Sequence, residues 1–378
     1  MSSEVKKYLF FGFAMLLLQL VGYNIATLGL LGLCMFPVIS MKSFLNNIQT
    51  VPLYFIFLSL SIVDGIYFGL CNGLEKWKIM YWGQFYFFVF FLLAVEDQHQ
   101  ALNVLKYSSF LIFFADLFTN ILLLIGFNVP WADIPTVRQG ETMARFGGLK
   151  GNTLYSGSIS FIAFSFLLEQ DFSKKAIRYL CIFSSVFNMI LSGSYRYFII
   201  ASVVYCIYFF HLYKRPLILC ATYISSIVIV FFATRFTMLV SVSNFFRYNI
   251  WNYYVNQIAN SSVIGHGWFN MHLDINQDFS WPHLAANGVT ESCILLIAYC
   301  FGIPMLILYL ICILTTLKKY INYSKYVAEL GIFVGLTLDL FWGGSFDNSL
   351  SLSVMTLSWY LINRYQLEKF HTVQKQNE

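Results

Sequence analysis

Apolar positions in this chain gather in long runs, with neither the alternation of a strand nor the one-sided stripe of a surface helix. The runs fall at about 8–23, 25–41, 50–70, 78–95, 104–126, 154–169, 176–193, 196–211, 216–233, 291–315, 326–342 and 349–363. A helix of roughly 17–25 mostly apolar residues crosses the ~30 Å hydrocarbon core of a bilayer. In lipid every backbone N–H and C=O must be satisfied, which a helix does within its own segment. The pattern therefore predicts an all-α, polytopic integral membrane protein with about twelve transmembrane helices. It also predicts a single transmembrane domain over 1–378, because no polar stretch is long enough to fold alone. The first run follows Lys6 and Lys7 as a signal sequence would. Val21, Gly22, Tyr23 and Asn24 then lead straight into the second run without a small-residue cleavage site, so a retained anchor is expected.

Positive charge orients the runs. At alternate ends, Lys6, Lys7, Lys42, Lys106, Lys174, Lys175, Arg178, Lys214, Arg215, Lys318, Lys319, Lys325, Arg364, Lys369 and Lys375 fall on the side of the amino terminus, and eight fall on the other. The positive-inside bias then places both termini in the cytoplasm. The opposite, external face carries two long loops, at about 127–153 and 234–290, while the cytoplasmic loops are short. Loops beyond about 12–15 residues are usually functional or disordered. These contain Trp, Arg, His, Asp and Gly rather than low-complexity sequence, which points to function on the external face.

Composition agrees with the pattern. Hydrophobic residues make up 58% and charged residues 11% of the 378, against roughly 25% charged in a typical globular chain. A soluble protein so poor in charge would expose large apolar patches. The 40 Phe and 25 Tyr suit lipid-facing bulk and interfacial belts. The eight Cys form no C-x-x-C pair, and nearly all lie in apolar runs; they read as small hydrophobes. No phosphate-binding G-x-x-x-x-G-K-[ST] loop occurs, so nucleotide-driven chemistry is not expected. What remains is transport, binding, or chemistry on a substrate that arrives already activated.

External arginines are the first informative set. Arg145, Arg196, Arg235 and Arg247 stand against the cytoplasmic bias of positive charge. Each either snorkels to lipid headgroups or offers its planar fork to phosphate oxygens. Four together beside long loops favour an anion site. Asp274 and Asp278 offset Arg235 and Arg247, which argues for a local pyrophosphate grip rather than a broad polyanion surface. Residues 244–258 read as an amphipathic helix on the outer surface, with Phe245, Tyr248, Trp251, Val255 and Ile258 along its apolar stripe.

Acid–base candidates follow. Glu291 stands where the long loop re-enters the membrane, where desolvation would raise its pKa toward a general base's range; as a carboxylate at a helix amino terminus it also complements the dipole. His283 titrates near neutrality without help. His266, His272 and His283 lack a recognised ligand spacing, so neither a metal nor a cofactor is expected. Trp251 and Trp281, with neighbouring aromatics, offer flat faces for sugar stacking or for interface anchoring. Asp64, Asp116, Glu329 and Asp339 lie within apolar runs, where acids are costly and usually functional or paired. They read either as a proton relay or as braces for the external arginines.

Several of these stretches resemble the O-antigen polymerase and O-antigen ligase superfamily of bacterial envelope enzymes. They are Arg145-Phe146-Gly147-Gly148, Leu191-Ser192-Gly193-Ser194-Tyr195-Arg196, Arg247-Tyr248-Asn249-Ile250-Trp251, Ser262-Val263-Ile264-Gly265-His266-Gly267, and Thr290-Glu291-Ser292 with Gly302-Ile303-Pro304 beyond it. The resemblance covers roughly 140–305. It implies a metal-independent inverting glycosyltransferase of GT-C-like architecture in the bacterial inner membrane, with its active face periplasmic. Donor and acceptor would be undecaprenyl-diphosphate-linked glycans, with membrane lipid and a chain-length regulator as further partners and no nucleic acid. Arg145, Arg196 and Arg247 would bind the donor pyrophosphate, and either Glu291 or His283 would be the base. Arg235, Trp251, His266 and Trp281 are secondary candidates for substrate contact. Ligase members typically carry a His-Asn pair where Glu291-Ser292 stands, and this departure favours a polymerase. The alternatives are an O-antigen ligase and a twelve-helix transporter or flippase. Transporters usually show two related halves and a midplane site, whereas the polar length here is displaced to one face in two unequal loops.

Overall fold

Several helix boundaries are set by residues that suit a helix start. Pro52 and Pro216 open two helices at positions where a missing N–H is no loss. Ser40 accepts from the Ser43 N–H at 3.5 Å, Asp97 from Gln100 at 3.0 Å, and the Asn152 side chain from Leu154 at 3.0 Å and Tyr155 at 3.4 Å. Each satisfies N–H groups that a helix start leaves without intrahelical partners. A computed structural model describes residues 3–21, 25–72, 76–132, 135, 144–169, 175–237, 242–267, 292–319, 326–342 and 349–377. Within these the helices are Ser3–Val21 (α1), Ile25–Met35 (α2), Met41–Thr50 (α3), Pro52–Asn72 (α4), Lys76–Ala94 (α5), Gln98–Leu124 (α6) and Thr153–Glu169 (α7). They continue as Lys175–Leu191 (α8), Tyr195–Phe209 (α9), Pro216–Thr237 (α10), Val242–Asn260 (α11), Cys293–Lys319 (α12), Val327–Trp342 (α13) and Ser349–Asn377 (α14).

The described chain is thus all-α, and each of the twelve apolar runs carries a helix. By length and composition, Pro52–Cys71, Gln98–Leu124 and Cys293–Lys318 are long and apolar enough to cross a membrane. The run at 25–41 is a correction: α2 ends at Met35, and Pro37 lies in a 3-10 turn, Phe36–Val38. Beyond it Ser40 donates to the Ala94 carbonyl at 2.7 Å and Glu96 to Val38 at 2.8 Å, a short antiparallel bridge between two helix connections. The expected surface helix at 244–258 is α11, but it packs on α10 and α12. Its buried side is therefore Ile250, Trp251, Tyr254 and Ile258, while Val255 is exposed.

Burial is arranged as lipid would require. In α6, Leu111, Phe114, Phe118 and Ile121 are exposed along one side, and Asp116, Thr119 and Asn120 are fully buried on the other. Water would not tolerate that apolar stripe, and hydrocarbon would. At the centre, residues 155–168 of α7, 330–340 of α13 and 352–363 of α14 are buried on every side. α7 packs on α6, α8, α9 and α13, and α13 packs on α9 and α14. This centre is the frame for the polar residues described next.

Candidate functional site

The hairpin between α8 and α9 turns tightly on Ser192-Gly193-Ser194. Gly193 has φ +62°, and a Cβ there would lie 2.6 Å from Arg145 Cγ and 3.0 Å from its Cδ. The stem of Arg145 therefore lies across the glycine. The backbone beside it is fastened as well, since the Phe146 N–H donates to the Leu191 carbonyl at 3.1 Å. Ser194 anchors the turn to α7 through a 2.8 Å hydrogen bond from its hydroxyl to the Thr153 carbonyl. Gly157 allows the close approach: a Cβ there would meet Tyr197 Cδ2 at 2.6 Å and Ser194 Cβ at 2.7 Å.

Arg196 sits in the first turn of α9, just past this hairpin. Its Nε is 3.1 Å from Asp339 Oδ1 of α13. Its Nη2 donates to the Tyr197 hydroxyl at 3.2 Å, and Nη1 lies 3.5 Å from the Trp342 carbonyl. The Tyr197 hydroxyl in turn donates to Asp339 Oδ2 at 2.9 Å. Arg145 and Arg196 are only 8% and 9% exposed. A charge so placed is costly unless paired, and Asp339 is the counterion of Arg196. Two of the three predicted diphosphate-binding arginines are thus placed beside one hairpin, Arg145 by its stem on Gly193 and Arg196 by its position three residues past that glycine, from segments about fifty residues apart in sequence.

A second polar centre lies beneath the Arg145 segment. Asp116 Oδ1 accepts from the Leu149 N–H at 3.0 Å. Its Oδ2 accepts from the Ser156 hydroxyl at 2.5 Å and Asn188 Nδ2 at 3.0 Å. Asn120 Oδ1 accepts from the Gly148 N–H at 2.9 Å, while its Nδ2 donates to Ser156 Oγ at 3.1 Å and Asn188 Oδ1 at 2.8 Å. Asn188 Nδ2 also donates to Ser160 Oγ at 2.9 Å. One side chain set joins α6, α7, α8 and the 3-10 turn Gly148–Lys150. Asn120, Ser156, Asn188 and Tyr197 went unnoticed in the sequence. The available signal was the four-residue spacing of Asp116 with Asn120, and of Ser156 with Ser160, which puts polar groups on one face of an otherwise apolar helix.

His266 belongs to a different device. α12 is broken at Gly302, whose φ is 82° and ψ 170°, and Pro304 lacks the N–H that would continue the ladder. The chain after α11 repairs the break: His266 N–H donates to the Tyr299 carbonyl at 2.8 Å and Gly267 N–H to Cys300 at 2.8 Å. Ile303 N–H donates to the Ser262 carbonyl at 2.7 Å. The close approach needs two glycines, because a Cβ on Gly265 would lie 2.5 Å from the Cys300 carbonyl oxygen and one on Gly302 2.2 Å from that of Val263. The His266 ring stacks on Tyr299 with centroids 4.5 Å apart, and its Nε2 lies 3.1 Å from the Gln257 carbonyl oxygen. Trp251 is buried, with its ring parallel to Phe231 at 6.2 Å. In this arrangement both predicted contacts are packed against the protein's own side chains. Arg235 lies on α10 and Arg247 on α11, with side chains outside the described ones. Trp281, His283 and Glu291 lie outside the described residues. Among the described residues, no three His, Cys, Asp or Glu side chains gather as a metal site would need. No protein-family model matches this chain, and no curated protein sequence matches it either.

Proposed function

We propose that this chain is a membrane-embedded polymerase that joins undecaprenyl-diphosphate-linked oligosaccharide repeat units into O-antigen or capsular polysaccharide. One observation carries the reading: two buried arginines flank the α8–α9 hairpin, Arg145 with its stem across Gly193 and Arg196 three residues on, held by Asp339. In the proposed bilayer arrangement about twelve helices span, both termini are cytoplasmic, and this turn opens to the periplasmic face of a bacterial inner membrane. The donor diphosphate binds the arginine pair, with Arg247 as the third member. As the bond from the anomeric carbon to the phosphate oxygen breaks, negative charge grows on the departing lipid diphosphate. Guanidinium groups already positioned in a low-dielectric site stabilise that charge, commonly the largest single catalytic term. His283 or Glu291 takes the proton of the acceptor hydroxyl, whose oxygen attacks the anomeric carbon from the opposite face and inverts it. Membrane lipid and a chain-length regulator are the further partners.

The broken helix α12 favours a second reading, because interrupted helices form midplane sites in transporters. It ranks behind, since the carbonyls of Tyr299 and Cys300 at the break are taken by His266 and Gly267. Deleting the gene and running the lipopolysaccharide on a gel separates the readings. A polymerase leaves core plus one repeat unit when lost, and a ligase leaves bare core. An unchanged ladder would refute the polymerase and the ligase, and is the outcome a transporter predicts.

A further inference from the structure

Among the described residues, Asp116 is the most enclosed acid that the proposed chemistry does not use. It lies in the middle of α6, is fully buried, and meets no cation among the described residues. An isolated carboxylate in such surroundings is expensive. Its three donors offset that cost, and one of them is the backbone of a turn rather than a neighbouring helix. Asn120, one helical turn on, holds the preceding N–H of the same turn. Gly148 has φ +62°, and a Cβ on it would sit 1.8 Å from Asp116 Oδ1, so the turn is pressed directly onto the carboxylate. Three residues upstream the same backbone presents Arg145 to Gly193.

We infer that Asp116 and Asn120 are positioning residues: they fix the Gly148–Leu149 turn and thereby aim Arg145 at the donor diphosphate. The inference rests on the reading of Arg145 given above. A carboxylate is suited to the place because it only accepts hydrogen bonds, and three donors surround it. An amide at 116 would turn an NH2 group toward one of those donors. The side chain never needs to touch substrate. It acts through backbone geometry, and a misplacement of about 1 Å at such a distance can cost on the order of 100-fold in rate.

The test pairs a structural readout with a kinetic one on the full-length protein in detergent or liposomes. Hydrogen–deuterium exchange over 146–151 is compared between wild type and Asp116→Asn. We expect that segment to exchange at least about tenfold faster while α6, α7 and α8 stay protected. With a lipid-diphosphate repeat unit as donor and a tagged soluble repeat unit as acceptor, the donor KM rises about tenfold or more and the acceptor KM stays within about twofold. In an Arg145→Lys background, which keeps the cation and a measurable rate, Asp116→Asn raises the donor KM no further, whereas a general folding defect would add. If Asp116→Asn fails to insert, Asn120→Ala carries the same expectations through the Gly148 N–H. Unchanged exchange over 146–151 overturns the proposal. So does faster exchange with an unaltered donor KM, or a donor-KM effect that survives intact in the Arg145→Lys background. If wild type does not extend chains at all, the polymerase reading fails, and the exchange arm still decides whether Asp116 holds the turn.

Discussion

Replacing Asp339 separates what the Arg196 ion pair does for the fold from what it does for chemistry. The pair spans α9 and α13 at 3.1 Å, and both side chains are nine-tenths buried. Removing one partner leaves a buried charge without compensation, which costs about 3–5 kcal/mol. Asp339→Ala and Arg196→Ala should each lose about that much. Replacing both with apolar residues of similar volume, Arg196→Met with Asp339→Leu, removes the uncompensated charge. That double variant still leaves the Tyr197 hydroxyl without its acceptor, at about 1–3 kcal/mol. It should therefore be more stable than either single variant, yet extend no chains. Stability is measured by denaturant titration of the detergent-solubilised protein, and activity by complementing a deletion strain and reading the polysaccharide ladder. A double variant as unstable as the sum of the two singles would show that the charges are not coupled. A long ladder from the double variant would remove Arg196 from the site.

Other outcomes follow from the same geometry. Arg145→Ala and Arg247→Ala should each abolish long chains at normal membrane levels, checked by ladder and immunoblot; wild-type ladders from both would count heavily against a diphosphate grip. Gly302→Ala puts a Cβ 2.2 Å from a backbone oxygen at φ 82°, which neither segment can relieve. A loss of about 2–5 kcal/mol, seen as poor accumulation in the membrane, is expected, and normal yield would contradict the splice at α12. Glu291→Gln and Glu291→Ala distinguish base from helix-end carboxylate. Both variants lose chain growth if Glu291 is the base, while an unaffected Gln variant with a poorly expressed Ala variant assigns it a structural part.

Much of the helical layout was legible because hydropathy is a property of each residue and its near neighbours. Apolar runs alone located a helix at every one of the twelve runs. Pro37 shortened one run, and its proline was readable from the start. The face of α11 was not readable, because Tyr254 and Val255 are both apolar enough to bury. Only the neighbours α10 and α12 decide between them.

Residue order and hydropathy are enough to identify a helical protein of bilayer-like composition, with arginines, glycines and a few acids in places where such residues need a reason. The packing of the helices is what rests Arg145 on Gly193, pairs Arg196 with Asp339 across 143 positions of chain, and, among the described residues, gives Asp116 a turn rather than a cation to hold. The division has a physical cause. Burial and helix formation depend on local terms summed along the chain, whereas charge pairing and close backbone approach depend on which helices pack together, and many packings share one pattern of hydropathy.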